Sequence, residues 1–327
     1  MYYIIQKRKI WLIFSSIMVA ISIVFLAVWN LNFGIDFTGG SLLEVDYNNG
    51  QPTIDEVYQA LGDLELESLT VQPVGETGMI LRFQNISEEQ HQEILTRLDR
   101  LRSSEEQADQ ANESLGINNS SSTDSDAQDE KIVLTNLEEL RFDSVGPSIG
   151  KELRQKSLNA IFLVLAAIVA YVAWVFREVS KPVASWKFGI TAIIALFHDV
   201  MITLGVFAIL GEFLNIEINT AFVAAILTVL GYSVNDTIVV FDRIRENLPK
   251  SEEDFEGTVN TSVNQTITRS INTSLTTLLV LTSILIFGGA TIKDFVLALS
   301  IGVFVGTYSS IFLASPLLVV WEKLTKK

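Results

Sequence analysis

Long stretches almost free of charge, separated by charged connections, dominate the pattern of the chain. Six of them are long enough to cross the hydrocarbon core of a bilayer at about 1.5 Å of helical rise per residue. They are Ile10–Trp29, Ser157–Phe176, Trp186 or Phe188 to about Leu210, Thr220–Phe241, Ser270–Ile292 and Phe295–Trp321. The first is longer than the apolar core of a signal peptide, about 7–15 residues, and lacks an A-x-A-like cleavage site, so we expect an uncleaved helix. The pattern predicts a multispan α-helical membrane protein with six transmembrane helices.

Basic residues set the predicted orientation. They cluster before the first span, between the second and third, between the fourth and fifth, and after the sixth. By the positive-inside rule, these connections and both termini are cytoplasmic. A further cluster at Lys151, Arg154 and Lys156 lies at the opposite end of the second span, but long translocated domains escape the rule. The predicted organisation is an N-terminus and first span at 1–29, an extracytoplasmic domain at 30–156, and the other five spans at 157–327 with a cytoplasmic loop at 242–266.

The hydrophilic region after the first span shows the order βαββαβ. Apolar residues alternate in its strands and recur every three or four positions in its helices, as at Ile94, Leu98 and Leu101. This order is typical of a ferredoxin-like α+β fold. The predicted strands are Ser41–Tyr47, about Ser68–Gln72, Met79–Phe83 and Leu137–Asp143, and the predicted helices are Thr53–Leu61 and Ser87–Leu101. The Gly39–Gly40 pair predicts a tight turn into the first strand, since no GK[ST] follows that would favour a phosphate loop.

Charge is concentrated in the same region. The formal net charge of −15 arises because residues 30–150 hold 24 acids and 6 bases, whereas the rest of the chain holds 14 acids and 17 bases. Within it, Ser103–Glu130 has hardly an apolar residue, which predicts a disordered insertion near 103–130. No basic patch suited to a phosphate backbone is present, so we expect no nucleic-acid partner. The chain has no cysteine and therefore no thiolate metal site, and we expect neither a metal nor a cofactor.

Two local patterns concern helix ends and helix packing. Ser251 with Asp254 three residues on resembles a capping box, and Phe255, Val259 and Val263 recur on one face, which predicts a short interfacial helix in the cytoplasmic loop. A polar loop with incidental apolar residues is the alternative. In the sixth span, the GxxxG formed by Gly302 and Gly306 indicates that another helix approaches closely there.

The fourth span contains an acid, Asp236, in the stretch GYSVNDTIVVFDRIREN. A carboxylate near the centre of a membrane helix costs about 2.5–3.5 kcal/mol on insertion scales, so such an acid is by default a functional candidate. The alternative is an acid near the helix end that reaches water, although an aspartate side chain is too short to reach far.

Several motifs together resemble those of the SecF family of protein-export membrane subunits. They are NFGIDFTGGSLLEV at 32–45, DSVGPSIGKEL at 143–153, HDV at 198–200, GYSVNDTIVVFDRIREN at 231–247 and TRSINTSLTTLL at 268–279. The resemblance covers nearly the whole chain. It implies six spans that form half of a resistance-nodulation-division (RND) bundle, with a periplasmic domain after the first. It further implies a bacterial inner-membrane protein that pairs with SecD and uses the proton-motive force to assist preproteins through the SecYEG translocon. The implied partners are SecD, SecYEG, preproteins and membrane lipids.

The resemblance also implies roles for single residues. The family's SVND aspartate and TRS arginine, implicated in proton passage, correspond to Asp236 and Arg269. Asp236 lies five residues before the cytoplasmic end of its span and Arg269 lies at the cytoplasmic entry of the next, so we expect an ion pair that protonation breaks. Asn235 and Thr237 are expected to orient the carboxylate.

A second ionisable pair, His198 and Asp199, lies in the third span. It is about 12 residues from the cytoplasmic end, roughly 18 Å by helical rise and deeper than Asp236. The two residues form either a second step of a proton relay or a pair in which each satisfies the other, and the sequence leaves both interpretations open.

Three classes of function remain after these observations. The first is a proton-driven auxiliary subunit of protein export, the second is an RND half-transporter for a small molecule or lipid, and the third is a scaffold that conducts nothing. An enzyme is not expected, because the chain has no nucleotide-binding glycine loop and only two histidines.

Overall fold

The computed structural model describes residues 2–48, 50–64, 66–110, 134, 136–177 and 185–325. Within them the chain divides into two compact units. One unit comprises residues 1–34 with 155–327 and is helical, and the other comprises residues 35–154 and is of the α+β type.

The α+β unit has the predicted order of elements. After a four-residue helix, its elements alternate strands and helices as βαββαβ, with a short 3₁₀ turn at Gly62–Leu64. The elements are α2 at Ile35–Thr38, β1 at Gly40–Tyr47, α3 at Ile54–Leu61, β2 at Thr70–Val74, β3 at Gly78–Phe83, α4 at Glu88–Gln110 and β4 at Leu137–Val145, preceded in the chain by α1 at Arg8–Trp29. The sheet is antiparallel with the strand order β2-β3-β1-β4, which confirms the ferredoxin-like prediction.

The core of this unit lies between the sheet and the faces of α3 and α4. Leu43, Val45 and Leu81 from the central strands are fully buried with Ile94 and Leu98 of α4. These residues occupy the alternating and three-to-four positions of the sequence pattern, so burial follows directly from periodicity.

Two features of the unit differ from or refine the predictions. Helix α4 continues to Gln110, so its predicted end at Leu101 was too early and the proposed disordered segment begins inside the helix. The remainder of that segment, 111–130, lies outside the described residues. The Gly39–Gly40 turn is confirmed. Gly39 and Gly40 have φ of 77° and 125°, and a Cβ at Gly39 would lie 2.9 Å from the Cα of Pro147.

The helical unit contains six helices or composite helices that are long and apolar enough to cross a membrane, among the residues described. They are α1, α5 at Pro147–Val175, α6 at Ser185–Leu214, α7 at Thr220–Asn247, α8 at Phe255–Phe287, and a composite last span. The composite span consists of α9 at Ala290–Ser309, a π-helical turn at Ser310–Ala314 and α10 at Ser315–Thr325. The predicted number and order of spans are confirmed.

The α9 helix is central to the bundle. It packs against α6, α7 and α8, whereas α1 packs mainly on α6. The predicted close approach of the GxxxG is confirmed and lies within the chain: Cβ atoms added at Gly302 and Gly306 would lie 2.2 Å from Val229 and 2.9 Å from Ser233 of α7. The glycine face of the last span is therefore occupied by this protein's own fourth span.

Helix α8 corrects the prediction for the cytoplasmic loop. The helix begins at Phe255, with Asp254 as its N-cap accepting from the backbone N–H of Gly257 at 2.8 Å, and runs without a break to Phe287. The apolar stripe that predicted a separate interfacial helix, including Val259 and Val263, is the buried face of its first turns. A separate helix was the wrong interpretation, because no helix-ending residue separates the stripe from the span that follows.

The N-terminal residues are held on this extension of α8. The side-chain Oδ1 of Asn260 accepts from the backbone N–H groups of Ile4 and Ile5 at 3.1 and 3.3 Å. Both isoleucine side chains are buried. Glu256 pairs with Arg8 at 2.6 Å and also contacts Lys323 near the end of the described chain.

Candidate functional site

Asp236 lies on α7, facing α8 and the last span. Ser270 of α8 donates to its Oδ1 at 2.6 Å, and Ser310 of the π-helical turn donates to its Oδ2. The carboxyl group is half-buried, while both serines are buried. Two neutral hydroxyl donors thus hold the carboxyl group, and within the described ranges no cationic side chain bonds to it.

Arg269 does not form the predicted ion pair. Among the described residues no hydrogen bond or ion pair joins its guanidinium to Asp236. The arginine is exposed and lines a cavity of about 290 Å³ with Asp242, Arg243 and Glu246 at the end of α7. Similar depth was the basis of the prediction, but consecutive helical residues point about 100° apart, so Ser270 faces Asp236 and its neighbour Arg269 does not.

Asn235 and Thr237 do not orient the carboxyl group either. Asn235 is exposed on α7, and Thr237 is 1% exposed on the packed face of the same helix. In the part of the chain that the structure describes, neither side chain hydrogen-bonds to Asp236. Asn235 and Thr237 flank Asp236 in sequence, so their side chains point to other sides of the helix than the carboxyl group does.

His198 and Asp199 form the second polar cluster. Asp199 is completely buried in α6, and its Oδ1 lies 2.9 Å from Nδ1 of His198. Its Oδ2 accepts from Ser233 of α7 at 2.5 Å and from Ser309 of α9 at 2.8 Å. An ionised Asp199 requires the histidine hydrogen to be on Nδ1, and the carboxylate then has three donors.

The Nε2 side of the His198 ring does not face Asp199. His198 is buried and its Nε2 has no described partner, while its ring stacks on Tyr308 with centroids 6.1 Å apart. The Tyr308 hydroxyl lies 3.1 Å from Oγ of Ser15 on α1. A mostly apolar cavity of about 330 Å³ between α1 and α6 is lined by Ser15, Phe197 and His198 among others. The structure brings His198 and Asp199 into direct contact with each other.

The last span connects the two carboxyl groups. Ser309 donates to Asp199 and the next residue, Ser310, hydrogen-bonds to Asp236. The π-helical turn starts at Ser310, and such turns occur frequently at functional sites. Both serines are fully buried.

The four serines around the carboxyl groups were missed by the sequence analysis. They are Ser233, Ser270, Ser309 and Ser310. Serine is common in membrane helices, where its hydroxyl usually donates to a carbonyl of its own helix, as Ser283 and Ser300 do. A single sequence does not separate these self-satisfied serines from those that reach a carboxyl group, because the difference lies in which helix packs opposite.

In the described part of the chain, six apolar helices and the intramembrane acids Asp199 and Asp236 define a polytopic membrane protein with ionisable groups inside its bundle. Comparison with known families makes the class specific. The family described as protein export membrane protein SecD/SecF, C-terminal, matches residues 126–324, and the SecD/SecF GG motif matches residues 31–50. The chain belongs to the SecD/SecF family of protein-export membrane proteins.

Individual relatives agree with this assignment. Protein translocase subunit SecF of Thermobaculum terrenum is 41% identical over 98% of this chain and 93% of its own length. The SecF subunit of Desulfurispirillum indicum is 40% identical over 94% of this chain and 88% of its own length. The crystal structure of SecDF, a translocon-associated membrane protein from Thermus thermophilus, is 30% identical with a TM-score of 0.76 over 98% of this chain. This chain spans only 39% of that longer SecDF chain.

Proposed function

We propose that this protein is an auxiliary subunit of the Sec protein-export machinery in the bacterial inner membrane. In this proposal it pairs with SecD and uses the proton-motive force to assist preproteins through SecYEG, and it performs no enzymatic reaction. Its family membership supports the export role. The orientation follows from the positive-inside rule, with both termini in the cytoplasm and the α+β unit outside.

The observation that carries the proton-driven mechanism is the environment of Asp236. Its carboxyl group is half-buried in a membrane helix and is held by the hydroxyls of Ser270 and Ser310, with no cation bound to it among the described residues. A carboxylate neutralised by a fixed cation resists protonation, whereas one held by hydroxyls can take up a proton without breaking an ion pair. Protonation then removes a charge from the bundle, which is the kind of local event that biases helix packing.

Arg269 has a separate place in the proposal. Its exposed guanidinium lines the cavity at the end of α7, beside Asp242 and Glu246. Rather than pairing with Asp236 permanently, it would set the local potential at the cytoplasmic end of the proton path. Arg269→Met is therefore expected to reduce proton-dependent export less completely than loss of Asp236 does.

The surface proposed to meet SecD is a stripe on α7 beside Asp236 that consists of three small residues and one asparagine. Ala224, Thr228, Gly231 and Asn235 recur every three or four positions, and all are exposed. Small residues permit close helix approach in a membrane, where apolar side chains gain nothing by leaving lipid. Lipids are expected to cover the exposed faces of α1 and α5.

Preprotein translocation into inverted membrane vesicles tests the central proposal. The vesicles contain SecD, SecYEG and either the wild-type chain or Asp236→Asn, and transport is measured with and without an uncoupler. Asp236→Asn is expected to abolish the part of transport that the uncoupler inhibits and to leave ATP-driven early translocation intact. Glu252→Gln is the control, because it removes one negative charge from an exposed position in the connection after α7, and transport should keep its wild-type uncoupler sensitivity in this variant. Uncoupler sensitivity of the wild-type size in the Asp236→Asn vesicles would refute the proton-driven mechanism.

Cross-linking tests the proposed SecD surface. The chain has no cysteine, so single cysteines at positions 224, 228, 231 and 235 give an unambiguous signal. They are expected to cross-link to SecD in native membranes, whereas a cysteine at Phe162, which is 76% exposed on α5, is not. Equal cross-linking from Phe162, or none from the α7 stripe, would place SecD elsewhere.

A further inference from the structure

Each serine of the pair in the last span has two hydrogen-bond acceptors within reach. Ser309 Oγ lies 2.8 Å from Oδ2 of Asp199 and 3.1 Å from the carbonyl oxygen of Gly306. Ser310 Oγ contacts Oδ2 of Asp236 and lies 3.0 Å from the carbonyl oxygen of Thr307. A hydroxyl carries a single hydrogen, so each serine donates either to its carboxyl group or to its own helix.

This choice allows both charge states of each acid to be satisfied. When the carboxyl group is ionised, the serine donates to it. When the carboxyl group takes up a proton from solvent, its O–H can donate to the serine Oγ, and the serine hydrogen turns to the carbonyl three residues back. The proton remains on the carboxyl group and no other covalent bond changes. A buried polar group left without a hydrogen-bond partner would raise the free energy of either the ionised or the protonated state. Rotation of the serine hydroxyl avoids this cost in both states.

The two serines also connect the acids to each other. They are adjacent in sequence and fully buried, and the π-helical turn begins at the second. Helix α7 provides a parallel connection, because Ser233 donates to Asp199 and Asp236 follows one turn later on the same helix. A change in the hydrogen bonding of either acid therefore acts on two elements that also hold the other.

We propose that Ser309 and Ser310 are positioning residues that couple protonation of the His198–Asp199 pair to protonation of Asp236. In this proposal Asp199 and Asp236 change protonation state together, and the contact between His198 and Asp199 does more than satisfy the hydrogen bonding of these two side chains. The part that this cycle plays in export rests on the proposed function. The coupling itself is a property of the chain that can be measured without export.

Few other titratable groups lie near these acids along the helices. Within five residues of Asp199, Asp236 and the four serines, the described titratable side chains are His198 on α6, Tyr232 on α7, Arg269 on α8 and Tyr308 on α9. The hydroxyl of Tyr232 donates to Ser274, and that of Tyr308 pairs with Ser15. Neither tyrosine hydrogen-bonds to a carboxyl group, so the tyrosines do not join the two acids.

Carbodiimide labelling measures the coupling. A lipid-soluble carbodiimide adds to protonated carboxyl groups, and mass spectrometry of the full-length protein in phospholipid vesicles gives the extent of labelling at Asp199 and Asp236 separately as a function of pH. Ser309→Ala removes a hydrogen-bond donor from Asp199, and the Ser309 side chain makes no hydrogen bond to Asp236 among the described residues. This substitution is nevertheless expected to shift the pH of half-labelling of Asp236, by at most about 0.7 pH unit, which is the fivefold change in protonation equilibrium expected for one hydrogen bond. Because coupling is reciprocal, Ser310→Ala is expected to change the labelling of Asp199.

Ser300→Ala is the matched control. Ser300 lies on the same helix, and its hydroxyl donates to the carbonyl of Val296 without contacting either acid. Both labelling profiles are expected to stay at wild-type values in this variant. If Ser309→Ala alters Asp199 alone and leaves Asp236 at the Ser300→Ala profile, the coupling is refuted. Failure of Asp199 to label at any pH would refute it as well, because the pair would then not titrate.

A second substitution keeps the test decisive if Ser309→Ala does not fold. Ser309→Cys keeps a side chain of similar shape but replaces the hydroxyl with a weak S–H donor. The same cross-effect on Asp236 is expected, and its absence counts against the proposal. The labelling result and the export result are independent. If the Asp236→Asn protein kept full proton-dependent export, the proposed function would be refuted, but the proposed coupling between the two acids would not.

Discussion

Among the described glycines, Gly302 is the one at which an added Cβ atom would come nearest to a neighbouring helix. A Cβ built there would lie 2.2 Å from Cγ2 and 2.6 Å from Cγ1 of Val229, and 2.9 Å from its Cβ. Contacts below 3.0 Å are essentially never observed for real Cβ atoms. Valine has one strongly preferred rotamer in a helix, so it cannot turn its methyl groups away. In a Gly302→Ala variant, α9 and α7 therefore have to separate.

The expected size of the effect follows from two opposing contributions. Overpacking a tight interface costs about 1–3 kcal/mol, and an overlap with two methyl groups at once belongs at the upper end of that range. Replacing glycine by alanine within a helix stabilises the folded state by about 0.5–1 kcal/mol, because alanine has the higher helix propensity. The net destabilisation expected for Gly302→Ala is about 2 kcal/mol. At about 2–4 °C per kcal/mol for a unit of 150–250 residues, the apparent midpoint of unfolding should fall by about 4–8 °C.

Thermal unfolding of the detergent-purified protein, followed by circular dichroism, measures this change. Gly189→Ala is the matched control, because a Cβ there meets nothing within 4 Å, and its midpoint should not fall. The double variant Gly302→Ala/Val229→Ala removes the two closest methyl groups and should be less destabilised than the sum of the single variants. An unchanged midpoint in Gly302→Ala, or strict additivity in the double variant, would refute the assignment of this contact.

Two further predictions concern parts of the molecule outside the carboxyl site. Asn260→Ala removes the acceptor shared by the N–H groups of Ile4 and Ile5, so amide hydrogen exchange at these two residues should accelerate while exchange in the α+β core stays the same. In α4, a hydrogen bond from Gln92 lowers the pKa of Glu88, and the neighbouring histidine adds to this effect. Gln92→Ala should raise that pKa towards its ordinary value in an NMR titration. The stabilisation from this bond is present above the ordinary pKa and lost as the pH falls, so a pKa that does not move in the variant contradicts the assignment.

Much of the fold could be predicted because it depends on periodicity and on length. Leu43, Val45 and Leu81 alternate as buried strand positions require, and the uncharged runs are long enough for six spans. Helix ends were harder to predict. The polar run after Leu101 continues α4 to Gln110 because no proline or glycine interrupts it, whereas α8 starts at Phe255 because Asp254 caps its first turn. Hydrophobicity indicates where a helix can be buried in lipid, whereas helix ends depend on caps and breakers.

The candidate site was predictable only in its acids. An aspartate or histidine in an apolar span is conspicuous, so Asp199, His198 and Asp236 could be found in one sequence. Apart from His198, which contacts Asp199 on the same helix, the partners of these acids are hydroxyls on other helices, and their identity depends on rotation about each helix axis. An error of one residue turns a side chain by about 100°. That rotation separates Ser270, which holds Asp236, from Arg269, which was predicted to do so.

The glycines of the last span determine whether the site can form. Ser233 of α7 and Ser309 of α9 donate to the same oxygen of Asp199, which requires the two helices to lie unusually close. Gly306 supplies that closeness one turn before the π-helical turn, because a Cβ there would lie 2.9 Å from the Cβ of Ser233. A larger residue would push Ser233 away and remove one donor from a completely buried carboxylate, which costs more than the loss of packing alone. The GxxxG pattern, which by itself indicates only close packing, is therefore a structural requirement of the buried acid.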